Sequence, residues 1–344
     1  MQNLTVKYIN VRINLSGNGT FTYSILSFTR SLRYNFDMQK SFMQSEFWAE
    51  FKEQNGWNVR KVKGLYVYQH ALPLKKNFLY IPEISVDSNE TFSSTVAHAA
   101  SALSTCKLPN SIFGRAEFLQ KYDEKEDSVL RNAKFYKSTD EVQPAYHQEI
   151  DLTIGYDNVV AQFKPKCRYK IRLAERHGVK IYQDNSKSTI DEFNEINIDT
   201  AKRKGFSGRN AEYITDLINV LNKHKVGDLW VARYDGKIIA GAVMIFYAGR
   251  ASYVYGASRD EKREVMAPRL LHDELIKEAI RHNCVIYDFI GVAPEDAPKT
   301  HSWAGISSFK RDFGGSTVRY LGSYDRIYQA LWYTSYRILR KKSQ

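Results

Sequence analysis

Four groups of residues have the type and spacing to do chemistry. Tyr253 and Tyr255 lie two apart in an apolar run. Strand alternation places both on one face. Lining a cleft, their hydroxyls would bind substrate or position a proton; inside a core they would pack. Lys310 sits in Ser307-Ser308-Phe309-Lys310-Arg311-Asp312-Phe313-Gly314-Gly315. Phe309 and Phe313, four apart, anchor one helical turn while Lys310 points elsewhere. A cation so held can stabilise the oxyanion of an acyl transfer, worth roughly 2.7–4 kcal/mol when preorganised. Arg209 follows Lys204-Gly205-Phe206-Ser207-Gly208 where a loop enters a helix, and its fork suits a phosphate or carboxylate. Asp288 lies in a very apolar strand, so it needs an arginine or a turn N–H as partner. A surface role for the lysine and arginine, and a structural one for Asp288, stay open.

Other chemistries lack their signatures. Cys106, Cys167 and Cys284 are far apart and form no CxxC pair. A disulfide framework and a zinc site therefore both lack their spacing, and core packing is expected of all three. Eight scattered histidines offer no metal motif. No Ser-His-Asp or Cys-His constellation is visible.

The elements that must position these groups are legible in part. A helix is expected over residues 45–54, N-capped by Ser45 and stopped by Gly56. Strands follow at 58–63, 65–72 and 78–81, then a helix at 92–103 and a strand at 112–118. Residues 123–144 are polar and read as a connector, with a short strand at 150–153. Helices follow at 164–177, 189–203 and 213–224. Residues 229–234 and 237–248 flank Asp235-Gly236, a strong hairpin signal. A third strand at 251–258, a helix opened by Pro268 and running to about His282, and a buried strand at 285–290 complete the series. Three meandering strands, a helix and another strand is the order of the acetyltransferase (GNAT-like) core. That order argues for architecture and not for chemistry. An acetyl-CoA user of this fold carries a glycine-rich loop between third strand and helix, whose amides bind pyrophosphate. Residues 258–268 hold no glycine, which argues against coenzyme A.

The 344 residues allow two domains. The net charge of +12 attracts polyanions such as nucleic acid, phosphosugars or an anionic membrane face. No window is apolar enough to span a bilayer, and the first residues lack a secretory apolar stretch, so a cytoplasmic location is expected. Residues 6–13 alternate like a strand and Ser16-Gly17-Asn18-Gly19 reads as a turn, with Met38 as an alternative start.

Several runs together resemble the FemABX family of peptidoglycan-bridge aminoacyltransferases. They are Gln44-Ser45-Glu46-Phe47-Trp48 with Lys52, Arg203 to Arg209 with Tyr213, Tyr253-Val254-Tyr255-Gly256-Ala257-Ser258, Met266-Ala267-Pro268, Tyr287-Asp288-Phe289-Ile290-Gly291-Val292, and Phe309 to Gly315. The resemblance covers residues 42–325. It implies an α/β (α+β) chain of two GNAT-like domains: an uncertain extension at 1–37, domain one at 38–147 joined by the returning segment 322–344, and domain two at 148–321. It implies transfer of an amino acid from aminoacyl-tRNA to the stem peptide of UDP-MurNAc-pentapeptide or lipid II, with no cofactor and no metal. By the same resemblance Lys310 and Tyr255 are catalytic. Lys52, Arg209, Tyr213, Tyr253 and Glu117 bind substrate, and Lys52, Arg209, Tyr253, Tyr255 and Lys310 line one cleft. Residues 186–209 are too short for the long helical arm of some members, so the form is armless and FemX-like. Residues 325–342 are expected to form a helix packing back on domain one, with a peripheral contact to the inner membrane face as the alternative. The rival readings are a GNAT-like N-acyltransferase with another donor and a non-catalytic tRNA- or precursor-binding protein.

Overall fold

A computed structural model describes residues 7–14, 20–27, 40–87, 89–205 and 208–342. Met38 and the expected turn at 16–19 lie outside them, as do Phe206 and Ser207. Residues 1–38 and 39–344 form two separate units. In the first, β1 (Lys7–Asn14) and β2 (Thr20–Ser27) pair as an antiparallel hairpin.

The second unit repeats one topology. Its first half starts with α1 (Glu46–Gln54), where the Ser45 hydroxyl accepts the Trp48 N–H at 3.2 Å. An antiparallel meander follows: β3 (Asn58–Val62), β4 (Leu65–Leu72) and β5 (Lys76–Ile84). α2 (Phe92–Cys106) then crosses over, and β6 (Ser111–Lys121) returns parallel to β5. The expected polar connector instead holds α3 (Glu124–Asn132) and β7 (Tyr136–Lys137), before β8 (Tyr146–Asp151). Leu130 alone of α3 is fully buried, so hydrophobic periodicity was too thin to reveal the helix.

α4 (Tyr156–Gln162), which the sequence reading missed, and α5 (Pro165–Arg176), which it expected at 164–177, lead to β9 (Lys180–Gln183). α6 (Lys187–Lys204) and α7 (Ala211–His224) precede the second meander. That meander is β10 (Gly227–Tyr234), β11 (Lys237–Tyr247) and β12 (Arg250–Ser258). Asp235 and Gly236 have φ of 48° and 75°, as the primed two-residue turn requires. α8 (Ala267–Arg281) crosses over and β13 (Ile286–Gly291) lies parallel to β12. α9 (Ala304–Arg311), β14 (Ser316–Ile327) and α10 (Ala330–Lys342) end the chain.

One sheet runs β3-β4-β5-β6-β14-β8-β13-β12-β11-β10-β9, with β7 on β14. β14 joins the halves: Ser316 to Arg319 pair with β8, and Tyr320 to Ile327 with β6. The boundary expected between residues 147 and 148 falls inside β8. One core cluster draws on both halves, packing Phe51 and Phe113 with Phe193, Leu217 and Val243. The last helix begins at Ala330 and not at Asp325, because Asp325 is a β14 residue whose carboxylate receives Arg115 at 2.7 and 2.8 Å and the Tyr333 hydroxyl at 2.7 Å. No helix among the described residues is long and apolar enough to cross a membrane.

Candidate active site

The site starts where a parallel ladder stops. β12 pairs with β13 only through Arg250/Ile286, Ala251/Tyr287 and Ser252/Asp288. In the first half the equivalent strands pair from Asn77/Ser111 through Ile84/Phe118. Past Ser252 and Asp288 both strands are irregular. β12 slips against β11 between Tyr253 and Tyr255, and β13 slips against β8 between Asp288 and Gly291. Ile290 holds φ of 56°, which is costly for a β-branched residue.

The slip at Val254 corrects the expectation that Tyr253 and Tyr255 share a face. An extra residue in a strand reverses its alternation. Tyr253 therefore packs under α8, 4.6 Å from the His272 ring, and Tyr255 packs under α7, 6.5 Å from the Tyr213 ring. Gly256 permits this, because a Cβ there would overlap the Tyr253 hydroxyl. The expected single cleft is thus two clusters on the two faces of β12.

The first cluster is built around Lys310. α9 directs its ammonium to the Gly291 carbonyl at 2.6 Å and to within 5.9 Å of the Tyr253 ring centre. The side chain is buried. Burial lowers its pKa to about 8, with Asp288 opposing the shift. Asp288 does not pair with the lysine directly. Its carboxylate accepts Arg250 at 2.8 Å, contacts His147 Nδ1 at 2.9 Å and receives the Ile290 N–H at 2.6 Å. Burial alone would raise the Asp288 pKa, but His147 and Arg250 hold it well below the ordinary range. Arg250 also donates to Glu149 at 2.8 Å. His147, Glu149 and Asp288 bring ligand-type atoms within 4.8 Å of one another, but the arginine already serves both carboxylates. The network fixes the backbone that presents Gly291 to Lys310.

The second cluster gathers Lys52, Arg209, Tyr213 and Tyr255. The Lys52 ammonium donates to the Tyr213 hydroxyl at 3.3 Å and sits 4.6 Å from the Trp57 ring centre. The Arg209 guanidinium lies 4.9 Å from the Tyr213 ring centre. Asn210 caps α7 by accepting the Tyr213 N–H at 2.9 Å, so the cap sets where the tyrosine starts. Burial, then the charge of Arg209, lowers the Lys52 pKa to about 8. Among the described residues no carboxylate forms an ion pair with either cation. Two converging, uncompensated cations with aromatic walls suit a phosphate-bearing ligand.

A cavity of about 290 Å³ opens at the N-terminus of α8, in the segment that lacks glycine. Lys170, Arg203, Lys204, Arg259, Lys262 and Arg263 line it against one acid, Glu261, and Phe309, next to Lys310, forms a wall. Left-handed Lys262 and Met266, with φ of 58° and 57°, make the turn that glycines would otherwise make. Sequence reasoning missed this cavity because its cations come from three separated segments. It also missed Arg250, His147 and Trp57. Gly256 inside a strand was the available sign of a close approach.

Glu117 joins neither cluster through any hydrogen bond. It is buried on β6, with one oxygen taking Ser323 Oγ at 2.5 Å and the Gln143 N–H at 3.0 Å, and the other taking the Tyr80 hydroxyl. Burial raises its pKa to about 7 against these donors. Its hydrogen-bond partners are therefore all inside the first half and its junction with β14, and the residue is 2% exposed. Cys106, Cys167 and Cys284 are free and buried.

The fold defines the class first. The chain is similar to a crystal structure of FemX, with a TM-score of 0.75 at 19% identity over 87% of this chain and 96% of that one. It is more distantly similar to L-PGS from Bacillus licheniformis, with a TM-score of 0.52 at 12% identity over 86% and 95% of the two chains. Residues 132–237 and 226–341 match the FemAB family, and the chain belongs to that family. Among curated relatives it is 26% identical over 189 residues to UDP-N-acetylmuramoylpentapeptide-lysine N(6)-alanyltransferase of Weissella viridescens, covering 54% of each chain. It is 22% identical over 251 residues to lipid II:glycine glycyltransferase of Staphylococcus epidermidis, covering 55% of this chain and 60% of that one. The chain thus spans a little over half the length of these relatives.

Proposed function

We propose that the chain is an aminoacyltransferase that moves an aminoacyl group from the 3′ ester of a charged tRNA to an amine on the stem peptide of a peptidoglycan precursor. The observation that carries this reading is Lys310: a buried ammonium, beside a basic cavity, where the β12–β13 ladder opens. The named activities of the relatives, on UDP-N-acetylmuramoylpentapeptide and on lipid II, support the same acceptor class.

The chemistry needs little from the protein beyond alignment and charge. The acceptor nitrogen attacks the ester carbonyl carbon, and the carbonyl electrons move onto its oxygen. Lys310, protonated, stabilises that oxyanion. The carbonyl re-forms as the bond to the ribose oxygen breaks, and the proton lost by the nitrogen ends on the ribose oxygen. An ester is already activated, so positioning supplies much of the rate. In this reading the cations at the α8 N-terminus take the tRNA phosphates. Lys52 and Arg209 take phosphate of the precursor. The acceptor amine reaches Lys310 through the break in the ladder, between the two faces of β12. Tyr255 orients the acceptor on one face and Tyr253 the ester on the other. The reaction is placed on the cytoplasmic side, where tRNA and precursor coexist.

The test is transfer of labelled Gly, Ala or Ser from charged tRNA to UDP-MurNAc-pentapeptide and to lipid II, read by mass spectrometry of the acceptor. A new amide on the stem peptide is expected with at least one pair. Absence of transfer from all three, with tight binding of an acyl-CoA, would instead establish an acyltransferase with another donor. Normal binding of charged tRNA without turnover would establish a binding protein.

A further inference from the structure

α10 has two unlike faces. Tyr333 and Tyr336 turn inward, with ring centres 5.2 and 5.0 Å from that of Phe113. Leu331, Ile338 and Leu339 turn outward and are 86%, 55% and 68% exposed. Their spacing of seven and eight residues, with Ser335 between, makes one stripe on a helix. Trp332 flanks it, 39% exposed. A helix that needed only to pack on β6 would not place large aliphatic side chains on its far side.

The stripe is not isolated. Lys76 Nζ lies 4.5 Å from the Trp332 ring centre and donates to Gln329 at 3.0 Å. Gln329 donates to the Pro109 carbonyl at 2.7 Å, and Asn110 to the Lys75 carbonyl at 2.5 Å. These bonds set the β4–β5 turn and the α2–β6 turn against the start of α10. The two turns add Leu74, 75% exposed, and Leu108, 40% exposed, with Lys75 and Lys107 exposed beside them. Neither turn holds an acidic residue, and neither does the chain from Tyr328 to Gln344.

We propose that this face docks on an anionic lipid bilayer. Protruding leucines, a tryptophan at their edge and a surround of lysines form the composition that the headgroup region accepts. The charge argues against a second copy of the chain, since two lysine-rich faces would repel. The exposed aliphatics argue against a nucleic acid, which would contact the cations and leave the leucines wet. Each cation near such a surface contributes roughly fivefold to partitioning. The proposal concerns a surface and no chemistry, so it stands or falls independently of the transfer reaction.

The experiment is sedimentation of the full chain with vesicles of phosphatidylcholine alone and of phosphatidylcholine with phosphatidylglycerol, at low and high salt. Binding to the anionic vesicles is expected, about tenfold or more above the neutral ones and weakened by salt. The pair Leu331→Asp and Leu339→Asp should reduce binding about tenfold, and the pair Lys75→Gln and Lys107→Gln roughly twentyfold. All four side chains are exposed, and circular dichroism melts check that the variants fold. If the leucine pair unfolds the protein, the lysine pair alone decides. No vesicle binding overturns the proposal. So does binding that ignores both lipid charge and these substitutions, or a dimer in sedimentation velocity that Leu331→Asp with Leu339→Asp dissolves.

Discussion

At the scale of single residues the site rests on two lysines kept easier to deprotonate than usual, each to about 8, chiefly by burial. The sign for function is direct. In the proposed reaction a protonated Lys310 stabilises the oxyanion, so its contribution to the transfer rate is full below about pH 8 and is lost as pH rises through it. The sign for stability is opposite, because between about 8 and the unfolded value the unfolded chain holds the extra proton, so raising pH favours the folded state. Lys52 adds a second readout. A bound phosphate restores its protonation, so precursor binding near pH 8 should take up a proton, and calorimetry in buffers of different ionisation enthalpy measures it. Lys52→Met should abolish that uptake; uptake that survives would remove Lys52 from the phosphate site. Glu117 has the raised pKa of a buried acid, near 7. Its stabilising contribution is therefore present at acid pH and lost as pH rises through about 7. Lys310 was legible in the sequence because phenylalanines bracket it. Arg250 was not, because it follows Gly249 at a turn and its acidic partners come from β8 and β13.

At the scale of elements the informative feature is the irregular end of β12. Its existence and length were legible from composition, and the primed hairpin before it from Asp235-Gly236. Its change of face was not, since alternation in sequence assumes a regular ladder. The bulge arises where β12 leaves β13, a contact between residues far apart in the chain. Gly256 carries the testable consequence. Gly256→Ala puts a methyl where the Tyr253 hydroxyl lies, so the tyrosine must swing away from Lys310. The whole Tyr253 ring, which packs on His272 and Phe289, has to move, and no backbone atom is among the nearest contacts. Transfer should fall about tenfold or more while the thermal midpoint changes by only a few degrees, as expected for strain of about 1 kcal/mol. Loss of fold, or unaltered transfer, would mean that Tyr253 is placed by something other than this glycine. The helix α3 escaped notice for a simpler reason: a single buried leucine gives no period.

At the scale of the whole molecule, β14 and the buried charges beneath it make one unit of two similar halves. Tyr320 on β14 donates to Glu149 on β8 at 2.5 Å, and Arg250 ties Glu149 to Asp288 on β13. Removing the arginine strands two buried carboxylates. Arg250→Met should cost about 3–5 kcal/mol, read as a lower urea midpoint. A loss below 1 kcal/mol would show that the network contributes little. The repeated order of meander, helix and parallel strand was legible in the second half. The joining role of β14 was not, since nothing local marks a strand that pairs with one half at its start and the other at its end.

The central claim is that Lys310 stabilises charge in the reaction and does not merely hold the fold. Single-turnover transfer with both substrates saturating tests it most directly, comparing the parent with Lys310→Ala. The account predicts a chemical step slower by about 100-fold or more, with dissociation constants for charged tRNA and precursor unchanged. A step within about twofold of the parent, or a loss confined to binding, would contradict it.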